Sequence, residues 1–271
     1  MKRYEAVPQR YLTRRVPVVI RLDACHFHTW CRGLEKPFDD RLVECMASAT
    51  HSLCTKISGC RFAYTQSDEI SLLLTDYASI DTEPWFGYRL EKILSVAASI
   101  CTAQFNHAVR HNFPVELYSK KEYATFDARA FNIPADDVCN YFLWRQRDCE
   151  RNSLQGLAQS YFSHKALHKK NSSQLQDMLM EEKGVNWNDL PTHLKRGTAF
   201  YRTEVAVEAS WSEGVTRKSV WVRDSEIPIF SKDRNYIENW VEPEPQLREP
   251  SENCKTYTSN DEKIFKPASD S

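Results

Sequence analysis

The sequence is poor in glycine, and this scarcity excludes the common loops that cradle phosphate groups. Its seven glycines are scattered, and no two stand close enough to form a G-x-G pattern. The dinucleotide-binding fingerprint and the P-loop both need glycines clustered in this way. Any phosphate ligand must therefore be held by metal ions and side chains.

The sequence also lacks paired cysteines and long apolar runs. Its nine cysteines are odd in number, and none forms a C-x-x-C pair, so we expect reduced thiols in a cytoplasmic protein rather than disulfides or a zinc site. There is no basic start followed by an apolar segment and no run of about 18 apolar residues, which a membrane span needs. We therefore expect neither secretion nor a membrane partner.

No excess of one charge is present either. Lysine and arginine number 36 and aspartate and glutamate 37, and the formal net charge is -1. Without a global positive field, any binding of nucleic acid must depend on a local basic surface. The 271 residues suffice for one large domain or two small ones.

What is present is an alternation of strands and helices that predicts an α+β fold. The predicted order is strand, helix, two strands in a hairpin, helix and strand, over residues 16–23, 40–58, 61–65, 70–74, 85–112 and 124–131. This order is typical of the ferredoxin-like βαββαβ arrangement, which polymerase palm domains share. We assign residues 1–133 to this palm-like catalytic core.

The remainder of the chain is predicted to be helical, with some β structure and a tail. Helices are expected over much of 134–202, and alternating apolar residues predict a small antiparallel sheet within 203–228. We assign residues 134–241 to a helical and β region that completes the fold. Residues 242–271 are rich in proline, charge and serine and are predicted to form a flexible tail.

Three carboxylates stand at the ends of the predicted strands. Asp23 closes the first strand, and Asp68 and Glu69 lie in the hairpin turn, which the βαββαβ order places beside Asp23. An acid in a turn is usually just solvated, but lone acids next to buried strands need a partner or a metal. Their convergence predicts a site for two divalent metal ions that catalyses phosphoryl transfer.

Cations and a hydroxyl group accompany these acids. Arg21 shares a strand face with Asp23, Lys36 precedes Pro37, and Ser67 adjoins Asp68. Such groups suit phosphate oxygens, although the two cations alone would equally be ordinary surface charges. A second set of basic residues is a candidate RNA-binding surface and comprises Lys165, Lys169, Lys170, Lys195 and Arg196.

Several short motifs together resemble the tRNA-histidine guanylyltransferase family, over about residues 1–202. In chain order they are Arg21-Leu22-Asp23, Phe27-His28, Lys36-Pro37-Phe38-Asp39, Thr65-Gln66-Ser67-Asp68-Glu69 and Phe126-Asp127-Ala128-Arg129. The resemblance implies an enzyme that extends RNA in the 3'-to-5' direction. It implies tRNA and ATP, GTP and other nucleoside triphosphates as substrates, two Mg²⁺ ions as cofactors, and a homotetramer.

The resemblance also implies roles for individual residues. Asp23 and Asp68 match the metal ligands of the family, and Glu69 flanks them as a catalytic residue. Ala24 replaces the usual glycine and still offers a backbone carbonyl to a metal. Lys36, Ser67, His28 and Arg129 match nucleotide and phosphate contacts of the family, and we assign Arg21, Ala24 and Asn152 to the same group.

One departure from the family favours a particular activity. The eukaryotic branch that adds a guanylate to histidine tRNA carries a His-Ile-Asn-Asn motif, where this chain has Glu150-Arg151-Asn152-Ser153. The difference favours templated repair of 5'-truncated tRNA over histidine-tRNA-specific guanylate addition. Two further hypotheses are a nucleotide cyclase, which the basic helical half disfavours, and a non-catalytic RNA-binding module, which the retained Asp23, Asp68 and Lys36 disfavour.

Overall fold

One antiparallel sheet of seven strands forms the centre of the computed structural model, which describes residues 1–208, 215–248, 250 and 254–257. The strand order across the sheet is β4-β1-β3-β2-β5-β6-β7. The strands are β1 Val18–Ala24, β2 Cys60–Gln66, β3 Glu69–Leu74, β4 Phe126–Asn132, β5 Thr198–Glu208, β6 Val215–Asp224 and β7 Lys255–Tyr257.

Helices cover both faces of the sheet. They are α1 Lys2–Ala6, α2 Phe27–Trp30, α3 Asp40–Lys56, α4 Leu90–Asn112, α5 Val115–Tyr118, α6 Ala135–Tyr161, α7 His164–Leu167, α8 Ser172–Lys183, α9 Thr192–Arg196 and α10 Asn235–Glu238. Short 3-10 turns lie at Trp85–Tyr88, Trp187–Asp189 and Asn239–Val241. None of the helices described is long and apolar enough to cross a membrane.

The alternation in β1 explains why helices pack on both of its faces. Val18, Ile20 and Leu22 belong to the core cluster formed with α3 and α4, while Val19 belongs to the cluster formed with α6. Successive strand side chains point to opposite faces, so Arg21 lies on the α6 side with Val19. The polar end of the strand therefore faces α6.

The predicted α+β class is confirmed, and β1, α3, β2, β3, α4 and β4 follow one another in the predicted order. The long helix begins at Leu90 rather than at 85. The cause is the preceding turn, in which Phe86, Gly87 and Tyr88 have positive φ angles that cannot continue a right-handed helix.

The predicted small antiparallel sheet is the pair β5 and β6, and it is part of the central sheet. Strands β5 and β6 continue the central sheet, because β5 pairs with β2 through Tyr64 and Ala199 and through Phe62 and Tyr201. The two predicted regions therefore share one sheet. Their apolar residues also share a core, in which Phe142 of α6 packs edge-on against Phe62 of β2 with ring centroids 5.1 Å apart.

Part of the predicted tail is packed against the folded chain. Strand β7 pairs with β6, the Tyr257 ring stacks on His51 at 4.2 Å, and the Arg248 carbonyl accepts a hydrogen bond from Thr203 at 2.7 Å. The segment that begins at residue 242 is therefore not a flexible tail as far as residue 257, in the positions described. Residues 258–271 of the predicted tail lie outside the described residues.

Candidate metal and nucleotide site

Two carboxylates meet where β1 ends and the β2–β3 hairpin turns. Asp23 is paired in register with Glu69 of β3, and the Ala24 amide donates a hydrogen bond to the Asp68 carbonyl at 3.2 Å. Burial, and after it the negative charge of Asp23, raise the pKa of the Asp68 carboxyl. The structure thus brings Asp23 and Asp68 together, as the strand order predicts.

The turn that carries Asp68 has a conformation that costs energy. Only Ser67 and Asp68 separate the paired residues Gln66 and Glu69, and Ser67 has a φ angle of 51°. A non-glycine residue in this region is uncommon, and such strain concentrates at functional sites. The Ser67 side chain forms a hydrogen bond with the Asp68 carboxylate, so the turn presents both groups together.

The donor set around these acids fits Mg²⁺. Among the described residues, no group of three or more His, Cys, Asp or Glu side chains could hold a metal, so the protein would contribute the Asp23 and Asp68 carboxylates and the Ala24 carbonyl. Mg²⁺ is commonly bound by one or two carboxylates while it keeps water and substrate phosphate oxygens. A cation would also offset the like charges that raise the pKa of Asp68.

Glu69, predicted to be catalytic, is engaged differently from Asp68. Its buried carboxylate lies 2.8 Å from a guanidinium nitrogen of Arg145 and 3.1 Å from one of Arg21. Arg21 also lies 3.4 Å from Asp23. Arg21, predicted to bind phosphate, therefore bridges two carboxylates of its own chain, and Glu69 lies in a buried ion-pair network beside the candidate metal site.

Arg145 is a part of the site that the sequence reasoning missed. It lies on α6 and is only 4% exposed, and Tyr141, one turn earlier, shares a 2.8 Å hydrogen bond with Ser71 of β3. A signal was available, because Arg145 interrupts the helical stripe of buried residues that includes Phe142 and Cys149. A buried arginine needs an anionic partner, which the sequence did not identify.

A cavity of about 340 Å³ adjoins the hairpin turn through Ser67, the neighbour of Asp68 in the chain, and is large enough for a small ligand. Lys36, Ser67 and Asn152, three of the predicted nucleotide or phosphate contacts, line it. Its apolar wall is formed by Phe27, Leu34, Leu42, Val43, Met46 and Ala47. The arrangement offers an apolar surface for a flat ring and polar groups for phosphates at the end near Asp68.

Two further groups at this cavity have fixed protonation states. Burial opposes ionisation of Asp39, but hydrogen bonds and charge from Arg41 hold the pKa of that carboxyl below its usual value. Burial and the charge of Asp68 raise the pKa of the Cys31 thiol to about 12. Asp39 is therefore ionised and Cys31 is protonated at neutral pH, and Cys31 is a poor nucleophile.

Besides Arg21 and Ala24, two predicted nucleotide or phosphate contacts lie outside the cavity. His28 on α2 is exposed, and Arg129 on β4 is exposed and lies 3.6 Å from Asp127. Arg129 is paired in register with Arg21 of β1. Both residues are near the strand end that carries Asp23, but neither is among the residues that line the cavity.

The predicted RNA-binding residues divide into two groups. Lys165, Lys169 and Lys170 are exposed in α7 and the segment after it. Lys195, in contrast, is buried, donates a hydrogen bond to the Asn188 carbonyl and lies over the Trp187 ring. Its assignment to an RNA surface was therefore wrong.

Arg196, the neighbouring residue predicted to bind RNA, is partly buried. Its guanidinium donates to Glu150 of α6 at 3.0 Å, and its side chain is mostly covered. Both Lys195 and Arg196 connect α9 to other parts of the chain. The partners of both residues come from other segments of the chain. The basic composition alone therefore did not show whether these side chains are packed or exposed.

Comparison with known proteins identifies the family. Residues 1–134 match the model of the tRNAHis guanylyltransferase (Thg1) family. The tRNA(His) guanylyltransferase of Debaryomyces hansenii is 29% identical over 218 residues, which are 74% of this chain and 80% of that protein.

Solved structures match over more of the chain. A bacterial tRNA(His) guanylyltransferase (Thg1)-like protein in complex with ATP is 44% identical with a TM-score of 0.79, covering 90% of this chain and 97% of that one. A bacterial Thg1-like protein in complex with GTP is 39% identical with a TM-score of 0.73, covering 89% and 96%. This chain belongs to the tRNAHis guanylyltransferase (Thg1) family of nucleotidyltransferases.

Proposed function

We propose that this protein is a 3'-to-5' nucleotidyltransferase that repairs 5'-truncated tRNA by templated addition of nucleotides. The observation that carries the proposal is the meeting of Asp23 and Asp68 next to Ser67, which lines a cavity large enough for a small ligand. The first four strands, with α3 and α4, would act as a ferredoxin-like, polymerase-palm-like core. In it, the ends of β1 and of the hairpin hold the reacting groups.

The acids would bind the metal, and the cavity would bind the nucleotide. The Asp23 and Asp68 carboxylates and the Ala24 carbonyl would hold Mg²⁺, which stabilises charge on the attacking and leaving oxygens of a phosphoryl displacement. Lys36 and Ser67 would position the phosphates of ATP, GTP or another nucleoside triphosphate, while the apolar wall holds the base. The Arg21–Glu69–Arg145 network would fix the end of β1 from the α6 side.

The reaction proposed has two displacements. In the first, an oxygen of the tRNA 5'-monophosphate attacks the α-phosphorus of ATP, and pyrophosphate leaves. In the second, the 3'-hydroxyl of a nucleoside triphosphate attacks the activated 5'-phosphate, AMP leaves, and the hydroxyl proton passes to solvent. Both displacements need a phosphate held in line with its attacking oxygen, and this is the geometry that the pair of acids beside the cavity supports.

The contacts of the segment Glu150–Ser153 support templated repair. Glu150 accepts a hydrogen bond from Arg196 at 3.0 Å, and Ser153 accepts one from Trp187 at 3.1 Å. Two of the four positions are therefore engaged in packing between α6 and the α8–β5 segment. Sequence-specific RNA recognition requires side chains that form hydrogen bonds with unpaired bases. These two side chains are already engaged within the protein.

A second candidate function is guanylate addition restricted to histidine tRNA. The names of the relatives favour it, since the Debaryomyces hansenii protein is a tRNA(His) guanylyltransferase. Under this alternative, Asn152 at the cavity would contribute to selectivity. The same acids and the same cavity would serve both functions, so the two differ in the choice of RNA and not in the chemistry.

The test is an extension assay with 5'-truncated tRNA, Mg²⁺ and all four nucleoside triphosphates. We expect the RNA to lengthen by the missing nucleotides, and expect Asp23→Asn and Asp68→Asn to give no product.

Lys36→Ala should raise the KM for the nucleotide more than it weakens tRNA binding, because a charge-assisted contact to phosphate contributes about 1.5–3 kcal/mol. Cyclic nucleotide as the only product, or RNA binding without any product, would contradict the proposal.

A further inference from the structure

Trp144 is a large aromatic side chain left on the surface of α6 and held in one orientation. Its side chain is 53% exposed. The guanidinium carbon of Arg145 lies 3.4 Å from the centre of its ring system, and the Tyr141 ring meets it edge-on at 6.0 Å. Arg145 is itself fixed by Glu69, so the indole is a pre-positioned apolar surface rather than a mobile one.

Its position connects this surface to the candidate metal site. Arg145, the residue next to Trp144, lies 2.8 Å from the carboxylate of Glu69, and Glu69 is paired in register with Asp23. Directly opposite residues in an antiparallel pair have Cα atoms about 4.5–5.5 Å apart. The indole therefore lies at the rim of the carboxylate pair.

Helix α6 extends from this rim to the nucleotide cavity. Asn152 lines the cavity and follows Trp144 by eight residues, which corresponds to about 12 Å along a helix. Glu69, which follows Asp68 in the chain and is paired in register with Asp23, is bound by Arg145 at the start of this stretch. A nucleotide in the cavity and a second group at Trp144 would thus approach the carboxylates from two sides.

The charge around Trp144 indicates what that second group is. Arg147 and Arg151, three and seven residues further along α6, share its helix face and are exposed. Exposed Arg129 lies on β4, on the α6 side of the sheet. Of the two acids within this stretch, Asp148 is paired with Arg145 at 3.5 Å and with Arg151, and Glu150 is paired with Arg196 at 3.0 Å. An aromatic surface bordered by arginines complements the bases and phosphates of a nucleic acid strand.

We propose that Trp144 is the stacking platform for the terminal nucleobase at the 5' end of the RNA substrate. This inference rests on the proposed function and deepens it, because it names the residue that places the reacting end of the RNA against Asp23 and Asp68. Stacking does not depend on base identity, since every base offers a π face. The platform thus suits an enzyme in which the opposing RNA strand selects the added base.

A 5'-truncated tRNA with 2-aminopurine as its terminal base tests the platform, because stacking quenches the fluorescence of this base. We expect wild-type protein, without nucleotides, to quench the fluorescence at saturating RNA. Trp144→Leu and Trp144→Gln should lose this quenching and about 5- to 150-fold in RNA affinity, the factor that corresponds to stacking of ~1–3 kcal/mol per base. Trp144→Phe should retain most of both.

Tyr4→Leu is the matched control, because Tyr4 is 78% exposed on α1, a helix without buried residues. This variant should bind and quench as the wild type does, and circular dichroism would verify the folding of all four variants. Wild-type quenching and affinity in folded Trp144→Leu or Trp144→Gln would overturn the proposal. A changed oligomeric state of these variants with unchanged RNA affinity would also overturn it, by assigning the indole to a contact between copies.

The extension assay separates this inference from the proposed function. If the wild type extends the RNA while the Trp144 variants quench as it does, only the stacking platform is wrong. If the wild type binds RNA but makes no extended product, the proposed function is wrong. The binding measurements need neither ATP nor Mg²⁺, so they do not depend on catalysis.

Discussion

At the scale of single residues, Asp23 and Asp68 carry like charges that a divalent cation would compensate. We expect Mg²⁺ to raise the melting temperature of the protein relative to the same protein in EDTA. At an Mg²⁺ concentration 100 times its Kd, the free energy of unfolding should increase by about 2.7 kcal/mol. Asp23→Asn and Asp68→Asn should lose this shift, as measured by differential scanning calorimetry. Asp81→Asn, at an exposed acid in a loop, should keep it.

An equal Mg²⁺-dependent shift in Asp68→Asn would show that the ion binds elsewhere. The readout does not depend on catalysis, so it tests the metal site even if the RNA substrate is wrongly assigned. It also distinguishes Asp68 from Glu69, because Glu69 is already compensated by two guanidinium groups. Glu69→Gln should therefore keep the Mg²⁺ shift.

Arg145 is expected to stabilise the fold as well as the site. Replacing it with methionine leaves the buried Glu69 carboxylate with Arg21 as its remaining close cation, and loss of one partner of a buried pair costs about 3–5 kcal/mol. Chemical denaturation should show a fall of this order in Arg145→Met. Arg147→Met, at an exposed position two residues away, should change the free energy of unfolding by less than about 0.5 kcal/mol.

His193 predicts how stability changes with pH. Burial, and after it the charge of Arg223, lower the pKa of His193, while Asp40, Glu226 and Glu44 oppose the change. A histidine with a lowered pKa stabilises the fold fully above its unfolded value of about 6.5 and loses this contribution as the pH falls below it. His193→Gln should therefore lose less stability than the wild type between pH 7 and pH 5.

Urea denaturation at several pH values would measure this difference. His111→Gln is a suitable comparison, since it removes a histidine from the last turn of α4, away from the cavity. If the free energies of unfolding of the wild type and of His193→Gln changed with pH in parallel, folding would not change the pKa of His193, and the prediction would be wrong.

At the scale of elements, the local pattern predicted β1, α3 and the β2–β3 hairpin. Apolar alternation and flanking turn residues are local signals, so they identified these elements and the strand ends that carry Asp23 and Asp68. The pairing of β5 with β2 was not predictable in the same way. It joins residues more than 130 positions apart, and alternation shows that a strand has an apolar face without showing which strand lies beside it.

The same limit explains the wrong prediction at Lys195. Lys195, Arg196 and Arg145 are each held by groups from other segments, and a run of charge gives no sign of such partners. The lysines of the α7 segment, in contrast, are exposed. The composition thus identified the basic segments, but only the packing shows which of their side chains are exposed to a binding partner.

The α7 lysines lead to a prediction about salt dependence. Replacing Lys165, Lys169 and Lys170 together with glutamine should weaken tRNA binding and reduce the slope of log affinity against log salt by about 0.7–0.9 for each phosphate that is no longer neutralised. Nucleotide binding should be unchanged. An unaltered slope would show that the segment is a solvated surface, and replacement of Lys2 and Lys92 is the control for a general effect of charge.

At the scale of the whole molecule, the near-neutral charge means that recognition of RNA must be local. With a formal net charge of -1, long-range attraction contributes little, and affinity has to come from particular surfaces. Trp144 with its arginines and the exposed α7 lysines are the two surfaces that we propose for this role in the helical region. Both types of contact are independent of sequence, since phosphates and stacked bases carry little identity.

Relaxed choice of tRNA follows from surfaces of this kind. We expect the enzyme to extend 5'-truncated tRNAs of several identities, to add the nucleotide that pairs with the opposing 3' strand, and to stop when the acceptor stem is complete. The physical reason is that pairing within the RNA selects the base, while Glu150 and Ser153, at the positions of the family's selectivity motif, are engaged by Arg196 and Trp187. A competition between truncated histidine tRNA and a truncated tRNA of another identity, with the added base sequenced, measures both properties. Strong preference for histidine tRNA, with guanylate added whatever the opposing base, would instead establish the histidine-specific activity. The same assay on Asn152→Ala would then show whether Asn152, at the cavity, is responsible for that preference.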